Sequence, residues 1–354
     1  MQITHVEVVP VELDLRLPYW AANYPAEVER VECVFVRVET REGRVAWGCA
    51  AFDPTLSGET LEQVVQACQA CADRALDLNP LNTELALAEL APLTEGTPSA
   101  RCAFDIAFYD LLGLATGLPI HRLLGGYRYR IQTSITLSLV PRKETVELAR
   151  ARASQGFRIL KLKGGIAPEE DVRRVLAVHD ALPDLVLRLD ADQGYTVQQA
   201  LDVARRLEGK LEMLEQPTPG RDLDALREVT VHSPVPILAD ESLTNPASAL
   251  EIASQRAAHG LSVKLATCGG LHCARQVDAI ARAARLDTMV GCIHEPALLI
   301  AAGLGLALSS PNVRYGDLDG HFDLVDDPTV AGFAFEDGGL VARDVPGLGC
   351  TVDL

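Results

Sequence analysis

The sequence predicts an α/β barrel that follows a smaller α+β domain. Eight strand-like segments occur after residue 130 at intervals of about 25 residues, and amphipathic helical stretches lie between most of them. The length of 354 residues also suits one barrel plus one smaller domain. A doubly wound sheet is the competing architecture, but eight such regular units favour the barrel.

In the first 125 residues, the predicted strands all come before the predicted helices. Residues 2–15 and 31–39 alternate as strands, and Val45–Ala50 follows a turn at Glu42-Gly43. Helical periodicity then covers Glu59–Leu76, Thr83–Leu90 and Ser99–Thr116. Because no linker rich in proline, glycine or serine ends this region, its boundary near residues 120–130 is predicted from a change of pattern.

The eight predicted barrel strands are residues 131–137, 157–163, 185–190, 211–215, 235–240, 260–265, 287–292 and 313–317. The clearest helical stretches between them are 168–181, 196–208 and 271–285. After the last strand the chain holds no further strand–helix unit, so we expect its end to return to the N-terminal region. The predicted domains are therefore 1–125, 126–320 and 321–354.

Composition and charge exclude several classes of partner. The chain is 48% hydrophobic, which predicts a large core, and its net charge of −17 argues against nucleic acid or an anionic membrane. The N-terminal segment alternates like a strand and lacks the pattern of a signal peptide. The longest apolar stretch, Pro296–Leu308, is too short to span a bilayer and predicts a buried helix.

Cysteine usage favours a reducing compartment. Nine cysteines are scattered along the chain, and only Cys68 and Cys71 form a CxxC pair, within an alanine-rich helical pattern. A lone CxxC without a second pair is interpreted as helix packing rather than as a redox or metal site. We therefore expect a cytoplasmic protein. The sequence leaves the oligomeric state open, a homo-oligomer included.

Three carboxylates end successive predicted strands. Asp190, Glu215 and Asp240 close the third, fourth and fifth barrel strands, and functional residues of such barrels lie at the C-terminal ends of strands. Three buried carboxylates on adjacent strands repel one another unless a cation lies between them. Hard oxygen ligands favour Mg²⁺, with Mn²⁺ as the alternative metal.

Three lysines are predicted to face the same site. Lys161 and Lys163 are two residues apart on one strand and so point to the same face, while Lys264 ends the sixth strand, across the barrel. A neighbouring ammonium and a nearby metal favour the neutral amine that a base needs. The alternative is a purely structural role, in which the lysines only neutralise the charge of the carboxylates. Lysines on opposite sides of a metal site suggest racemisation or epimerisation.

The ordered motifs resemble those of a known family. They are KLK (161–163), RLDADQGY (188–195), LEQP (214–217), ADES (239–242) and VKL (263–265), with RCAFDIAFYDLLGLATGLP (101–119) and LLGG (123–126) upstream. Together they resemble the muconate-lactonising subgroup of the enolase superfamily over nearly the whole chain. The resemblance implies a modified TIM barrel, (β/α)₇β, closed by an α+β N-terminal capping domain. Lysine bases beside Mg²⁺ are general in that superfamily.

Within the subgroup, Asp317-Leu318-Asp319 resembles the DxD motif of dipeptide epimerases, which holds the α-ammonium of the substrate. An ordinary acidic turn is the alternative. The segment MVGCIHE (289–295) resembles the stretch that lines the dipeptide, so Cys292 and His294 are further candidates. Thr136 matches a threonine that contacts substrate. Asp192 stands where the family often has asparagine.

The resemblance implies epimerisation at the α-carbon of the C-terminal residue, through an enediolate. Lys163 and Lys264 would be the opposed acid/base pair, and Lys161 would lower the pKa of Lys163 and face the substrate carboxylate. Lewis-acid stabilisation by a metal is worth several kcal/mol in such reactions.

Two loops of the capping domain are expected to choose the dipeptide. In enzymes for Ala-Glu the first loop supplies an arginine, whereas Trp20 stands at that position here and Arg16 lies on the preceding strand. Asp53 in the second loop adds a negative charge. We therefore expect hydrophobic or cationic substrate side chains rather than glutamate.

Other functions stay open from sequence. An N-acylamino acid racemase, a muconate cycloisomerase or a dehydratase of a hydroxyproline-like substrate would keep the same metal ligands and lysines. The aspartate pair disfavours muconate, which carries no ammonium group. A catalytically idle metal-binding scaffold is the alternative of another class, although no ligand or lysine is missing.

Overall fold

A computed structural model describes residues 1–354. The chain begins with an antiparallel sheet of three strands in sequence order, β1 (Ile3–Tyr19), β2 (Val28–Thr40) and β3 (Val45–Ala51). Five helices follow: α1 (Pro54–Ser57), α2 (Leu61–Ala75), α3 (Thr83–Leu90), α4 (Pro98–Thr116) and α5 (Ile120–Leu123). A short 3₁₀ turn, Ala91–Thr94, joins α3 to α4.

Helix α4 packs tightly on β3. A Cβ atom at Gly48 would lie 1.9 Å from the carbonyl oxygen of Ala103, so only glycine permits this approach. Helix α2 begins with a capping box formed by Thr60 and Gln63. Its Cys68 and Cys71 are buried free thiols in the apolar core of this domain, as the helix-packing interpretation predicted.

The second part is the predicted parallel barrel. Its eight strands lie side by side in sequence order: β5 (Ser134–Leu137), β6 (Ile159–Lys163), β7 (Val186–Asp190), β8 (Met213–Glu215), β9 (Ile237–Ala239), β10 (Gly260–Lys264), β11 (Asp287–Gly291) and β12 (Val313–Gly316). A parallel bridge between Thr133 and Gly316 joins the last strand to the first. The doubly wound alternative is thus wrong, because the sheet closes on itself.

Helices cover the outside of the barrel between strands. They are α6 (Arg142–Ser154), α7 (Pro168–Ala181), α8 (Val197–Arg206), α9 (Leu223–His232), α10 (Pro246–Gln255), α11 (Leu265–Cys268), α12 (Leu271–Ala284) and α13 (Ala297–Ser309). No helix follows β12, where only a 3₁₀ turn, Gly320–Asp323, occurs, so the (β/α)₇β prediction is confirmed. Every residue of α13 is buried, as predicted. None of the helices combines the length and apolarity needed to cross a membrane.

Most predicted strand limits shift by one to three residues in the structure, and in two strands the change alters the pairing or the site. The segment 131–137 divides at Thr133 into β5 and a separate strand, β4 (Arg130–Gln132). Strand β4 pairs with the C-terminal hairpin of β14 (Phe333–Glu336) and β15 (Gly339–Ala342) rather than with the barrel. The first strand continues past residue 15 to Tyr19, which matters for the site below.

The C-terminal segment packs on both earlier regions. Its remaining strands, β13 (Thr329–Val330) and β16 (Thr351–Val352), pair with each other. Bridges connect Leu324 to Leu15 and Gly347 to Pro119, both within the first 125 residues. The division at residues 125 and 320 stays a prediction.

Two carboxylates of α4 connect it to other parts of the chain. Asp105 accepts hydrogen bonds from the backbone N–H groups of Leu271 (2.5 Å) and His272 (3.0 Å), at the start of α12. Asp110 accepts one from the N–H of Leu348 at 2.7 Å. Helix α4 is thereby fixed to the barrel and to the C-terminal segment.

Candidate active site

The three predicted metal ligands meet at the mouth of the barrel. Asp190 and Glu215 end β7 and β8 as direct neighbours in register, and Asp240 follows β9. All three are buried, and their candidate ligand atoms lie within 4.8 Å of one another. Oε1 of Glu215 has no hydrogen-bond donor, and Oε2 contacts only the Lys161 ammonium. A buried carboxylate oxygen without a donor is costly, so this set of oxygen ligands fits a divalent cation.

The charges of this triad affect one another strongly. Burial, together with Asp190 and Asp240, raises the pKa of Glu215 to about 8. Burial also opposes the ionisation of Asp190, but Lys161 and Lys163 outweigh it and hold the pKa of that carboxyl below its ordinary value. The raised pKa of Glu215 reflects repulsion from the neighbouring carboxylates, which a bound cation would relieve.

The three lysines contact the triad directly. The Lys161 ammonium lies 2.9 Å from Asp190 and 2.8 Å from Glu215. Lys163 lies 2.8 Å from Asp190, and Lys264 lies 2.6 Å from Asp240. Strands β6 and β10 are four positions apart in a barrel of eight, so Lys163 and Lys264 approach from opposite walls.

The expected lowering of the Lys163 pKa concerns the metal-bound site and stays a prediction. Burial favours the neutral amine, but Asp190 and Asp192 outweigh it and raise the pKa of Lys163 well above its usual range. Asp192 is 2.6 Å from this ammonium. Asp192 thus helps to raise the pKa of Lys163. The sequence showed only that an aspartate stands where the family often has asparagine, and it did not reveal this contact.

Asp317 and Asp319 lie on the seam where the barrel closes. Asp317 accepts from the Ser134 hydroxyl at 2.5 Å and from the Lys161 ammonium at 2.8 Å. Asp319 accepts from the backbone N–H of Thr136 at 2.6 Å. Burial and the charge of Asp317 raise the pKa of Asp319 to about 6. Two adjacent carboxylates at this depth would be relieved by a cationic ligand.

A buried arginine lies below these groups. Arg188, which is 1% exposed, occupies the barrel interior two residues before Asp190. It donates to the Ser134 hydroxyl at 3.0 Å and to the Gly316 carbonyl at 2.9 Å. With Lys161, Arg188 keeps the pKa of Asp317 below its ordinary value although burial alone would raise it.

A small cavity of about 60 Å³ is lined by the three lysines that contact the triad, and we call it the inner cavity. Most of the predicted catalytic and substrate-binding residues line it: Thr136, Lys161, Lys163, Lys264, Cys292, His294, Asp317 and Asp319. The structure therefore brings residues from five barrel strands, or from the segments directly after them, to one point.

The two predicted specificity residues of the capping domain do not line the inner cavity. Trp20 donates its indole N–H to the Tyr24 carbonyl, while Tyr19 lines the cavity in its place. Because β1 extends to Tyr19, neighbouring side chains there point in opposite directions. Asp53 accepts from the Tyr24 hydroxyl and from the N–H of Thr55, so it holds the two capping loops together.

Sequence reasoning missed several lining residues. They are Tyr19, Asn23, Tyr24, Leu56, Glu241, Ile293, Gly320 and Asp323. Burial and the adjacent Asp240 raise the pKa of Glu241 well above its usual range. The position of Glu241 directly after a predicted metal ligand was a usable signal, whereas no such signal in the sequence marked the loop residues.

Comparison with protein families now identifies the chain's relatives. Residues 3–125 match the N-terminal domain of mandelate racemase/muconate lactonizing enzymes, and residues 144–354 match the enolase C-terminal domain-like family. The chain belongs to the enolase superfamily. Its capping domain and (β/α)₇β barrel are the two domains of that superfamily, so the resemblance noted from the motifs is confirmed.

Individual relatives narrow the type of enzyme within the enolase superfamily. An L-Lys-D/L-Arg epimerase of Methylococcus capsulatus is 36% identical over 99% of both chains. A hydrophobic dipeptide epimerase of Enterococcus faecalis is 33% identical over 95% of both. The crystal structure of an Enterococcus faecalis dipeptide epimerase with Mg and L-Leu-L-Tyr has a TM-score of 0.96 at 32% identity, covering 99% of this chain and 100% of that one. The predicted isomerase class is confirmed.

Proposed function

We propose that this protein is a Mg²⁺-dependent dipeptide epimerase that inverts the α-carbon of the substrate's C-terminal residue. The observation that supports it best is the approach of Lys163 and Lys264 to one carboxylate triad from opposite walls of the barrel. Removal of a proton from one face of a carbon and its return to the other face needs two such groups. The names of the relatives agree with this activity.

Asp190, Glu215 and Asp240 would hold the metal. Bound Mg²⁺ supplies Lewis-acid stabilisation of the negative charge that develops on the substrate carboxylate when the α-proton leaves. Lys161, which contacts two of the three ligands, adds a fixed positive charge beside that carboxylate. The proton transfers are assigned to Lys163 and Lys264.

Lys163 and Lys264 exchange roles with the direction of the reaction. For one epimer Lys163 accepts the α-proton and Lys264 donates a proton to the opposite face, and for the other epimer the roles reverse. The lysine that accepts must start neutral, and the Lys161 ammonium and a divalent cation both favour that form. Buried Asp192 and Asp240, each within 2.6 Å of one ammonium, hold the two side chains in position.

Asp317 and Asp319 would bind the α-ammonium of the N-terminal residue. A cationic amine placed there pairs with carboxylates that already line the inner cavity. An N-acylamino acid has no such ammonium, so the same pair would favour a dipeptide over that substrate. Cys292, whose thiol is 3.4 Å from Asp319, and Thr136 would contact the same end of the substrate.

The substrate side chains are proposed to be hydrophobic or cationic rather than glutamate. No arginine lines the inner cavity, so a glutamate side chain would find no guanidinium partner there. Two similar enzymes named above carry hydrophobic or Lys/Arg dipeptides in their names. Nine free thiols further support a reducing, cytoplasmic location.

The test is α-proton exchange in D₂O with Mg²⁺, followed by mass spectrometry and NMR. Matched dipeptides L-Ala-L-Phe, L-Ala-L-Lys and L-Ala-L-Glu should incorporate deuterium at the C-terminal α-carbon only, and the first two should react faster. Chelation of the metal should stop exchange, and added Mg²⁺ should restore it. Faster racemisation of N-acetyl-L-Phe than of any dipeptide would contradict the proposal, as would exchange of none of them.

A further inference from the structure

A second chamber continues outward from the inner cavity. This outer chamber has a volume of about 450 Å³ and shares Tyr19, Thr136, His294 and Asp323 with the inner cavity. Ligand sites commonly measure about 300–1,000 Å³, so the inner cavity of about 60 Å³ is too small for a dipeptide by itself. Part of any dipeptide bound at the triad must therefore extend beyond it.

Tyr19 and His294 form the partition between the two spaces. Their rings meet edge to face, with centroids 4.5 Å apart. Burial lowers the pKa of His294, so its ring is neutral and does not repel a cation. The imidazole contacts both spaces and forms no hydrogen bond within the protein, which leaves its nitrogens available to a ligand.

The walls of the outer chamber combine apolar and acidic side chains. Leu17, Pro18 and Leu148 supply apolar surface for methylene groups. Glu144 and Glu147 lie three residues apart on α6 and share one face, and Glu27 from the β1–β2 loop is a third carboxylate.

No cation of the chamber neutralises these three carboxylates. Arg152 is the only basic side chain of the chamber besides His294, and its guanidinium is bound by Asp323 at 2.5 Å. Lys143, whose side chain is 89% exposed, approaches Glu147 only to 3.9 Å. The chamber thus presents net negative charge beside an apolar surface.

The position of the chamber indicates which substrate residue reaches it. Thr136 lines both spaces, and its backbone N–H donates to Asp319, one of the two carboxylates assigned to the substrate ammonium. Lys163 and Lys264, which flank the reacting carbon, line only the inner cavity. The residue nearest the chamber is therefore the N-terminal one.

We propose that the outer chamber binds the side chain of the substrate's N-terminal residue and selects a lysine or arginine there. This inference rests on the proposed dipeptide epimerase function and extends it to a substrate class. The methylene groups of such a side chain would pass Tyr19 and His294 along the apolar wall. Its charged end would reach Glu27, Glu144 and Glu147.

The experiment compares two substrates that differ only in charge. Epimerisation of L-Lys-L-Ala and L-Nle-L-Ala, where Nle is norleucine, is measured as kcat/KM, and the ratio of the two is the readout. Wild type should prefer L-Lys-L-Ala, and the double variant Glu144→Gln/Glu147→Gln should lower the ratio about threefold to thirtyfold, as expected for two partly solvated ion pairs. The preference should weaken with added salt.

A matched control removes the same charge elsewhere. Asp224→Asn/Glu228→Gln changes two exposed carboxylates on α9, and it should leave the ratio at its wild-type value. Equal rates for the two substrates in wild type would overturn the inference while leaving the epimerase function intact, as would an unchanged ratio in the α6 variant. A charge effect confined to L-Ala-L-Lys would also overturn it. Failure to epimerise any dipeptide would instead refute the proposed function.

Discussion

Buried carboxylates occur in two regions of this molecule, and the groups opposite them differ. At the barrel mouth, Asp190 and Asp240 face lysine ammonium groups at 2.6–2.9 Å. On α4, Asp105 and Asp110 accept hydrogen bonds from backbone N–H groups only.

The pKa of Asp190 differs accordingly from the pKa values of Asp105 and Asp110. Lysines hold the pKa of Asp190 below its ordinary value against the effect of burial. Without such partners, burial raises the pKa of both Asp105 and Asp110 to about 7. Burial alone therefore does not mark a catalytic carboxylate, and the opposing lysines distinguish Asp190 from the two carboxylates of α4.

The largest expected effect is at the barrel mouth. Lys163→Ala and Lys264→Ala should each lower the epimerisation rate by about 10²–10⁴-fold, because each removes one of the two proposed acid/base groups. Each variant should still exchange the α-proton of one epimer in D₂O, and the surviving epimer should differ between the two. NMR of exchange from separate L,L and L,D dipeptides measures this.

Lys210→Ala is the control for these variants, since Lys210 lies outside the site and its loss should change neither rate nor exchange. Thermal melting would verify that each variant is folded. Near wild-type epimerisation in both site variants would mean that the lysines only balance charge, and the contrast between the two regions would fail.

A smaller effect is expected on α4. Asp105→Ala leaves two N–H groups at the start of α12 without their acceptor, and it should lower the free energy of unfolding by about 1–3 kcal/mol. Urea denaturation measures the change, with exposed Asp73→Ala as the control. Epimerase kcat of the folded variant should stay near wild type, and a selective loss of kcat would show that the α4 carboxylate also serves the chemistry.

The smallest effect concerns the pH dependence of stability. Burial raises the pKa of Asp110 from 3.8 to about 7, so between these values the folded state binds more protons than the unfolded state. Its contribution to stability is present at low pH and lost as pH rises through about 7, with a slope of at most about 1.4 kcal/mol per pH unit. Asp110→Asn should flatten this slope, measured by urea denaturation from pH 5 to 8. An unchanged slope would show that Asp110 is ionised throughout.

The sequence predicted the barrel and the triad because both depend on regular features. Strand and helix periodicity gave eight units, and the C-terminal ends of the strands then placed Asp190, Glu215 and Asp240 together. The lysine positions followed from the same register. Each of these conclusions needed only the alternation within a strand and the geometry of a parallel barrel.

The capping loops were harder to predict because no repeating pattern constrains them. Strand β1 extends four residues beyond its predicted end at residue 15, and this extension turns Tyr19 rather than Trp20 toward the cavity. A shift of one residue exchanges the two faces of a strand, so a small error in the strand end changes the predicted lining. The pairing of Asp53 with Tyr24 likewise joins two loops that are distant in sequence.

The pairing of Lys163 with Asp192 also escaped sequence reasoning. The neighbouring ammonium of Lys161 was visible in the KLK motif, but the distance from Lys163 to Asp192 depends on the turn after β7. Asp192 has a positive φ of 42°, a conformation that a sequence pattern does not reveal for a non-glycine residue.

The hydrogen bonds that close the barrel between its first and last strands limit how its substrate specificity can evolve. The N–H of Thr136 donates to Asp319 and the Ser134 hydroxyl donates to Asp317, while the Thr133 hydroxyl accepts from the N–H of Leu318. The groups assigned to the substrate amine thus also join the first strand to the last. If evolution replaced these aspartates to suit another substrate, the same donors would need new acceptors. The closure of the barrel therefore limits which changes of specificity this fold tolerates.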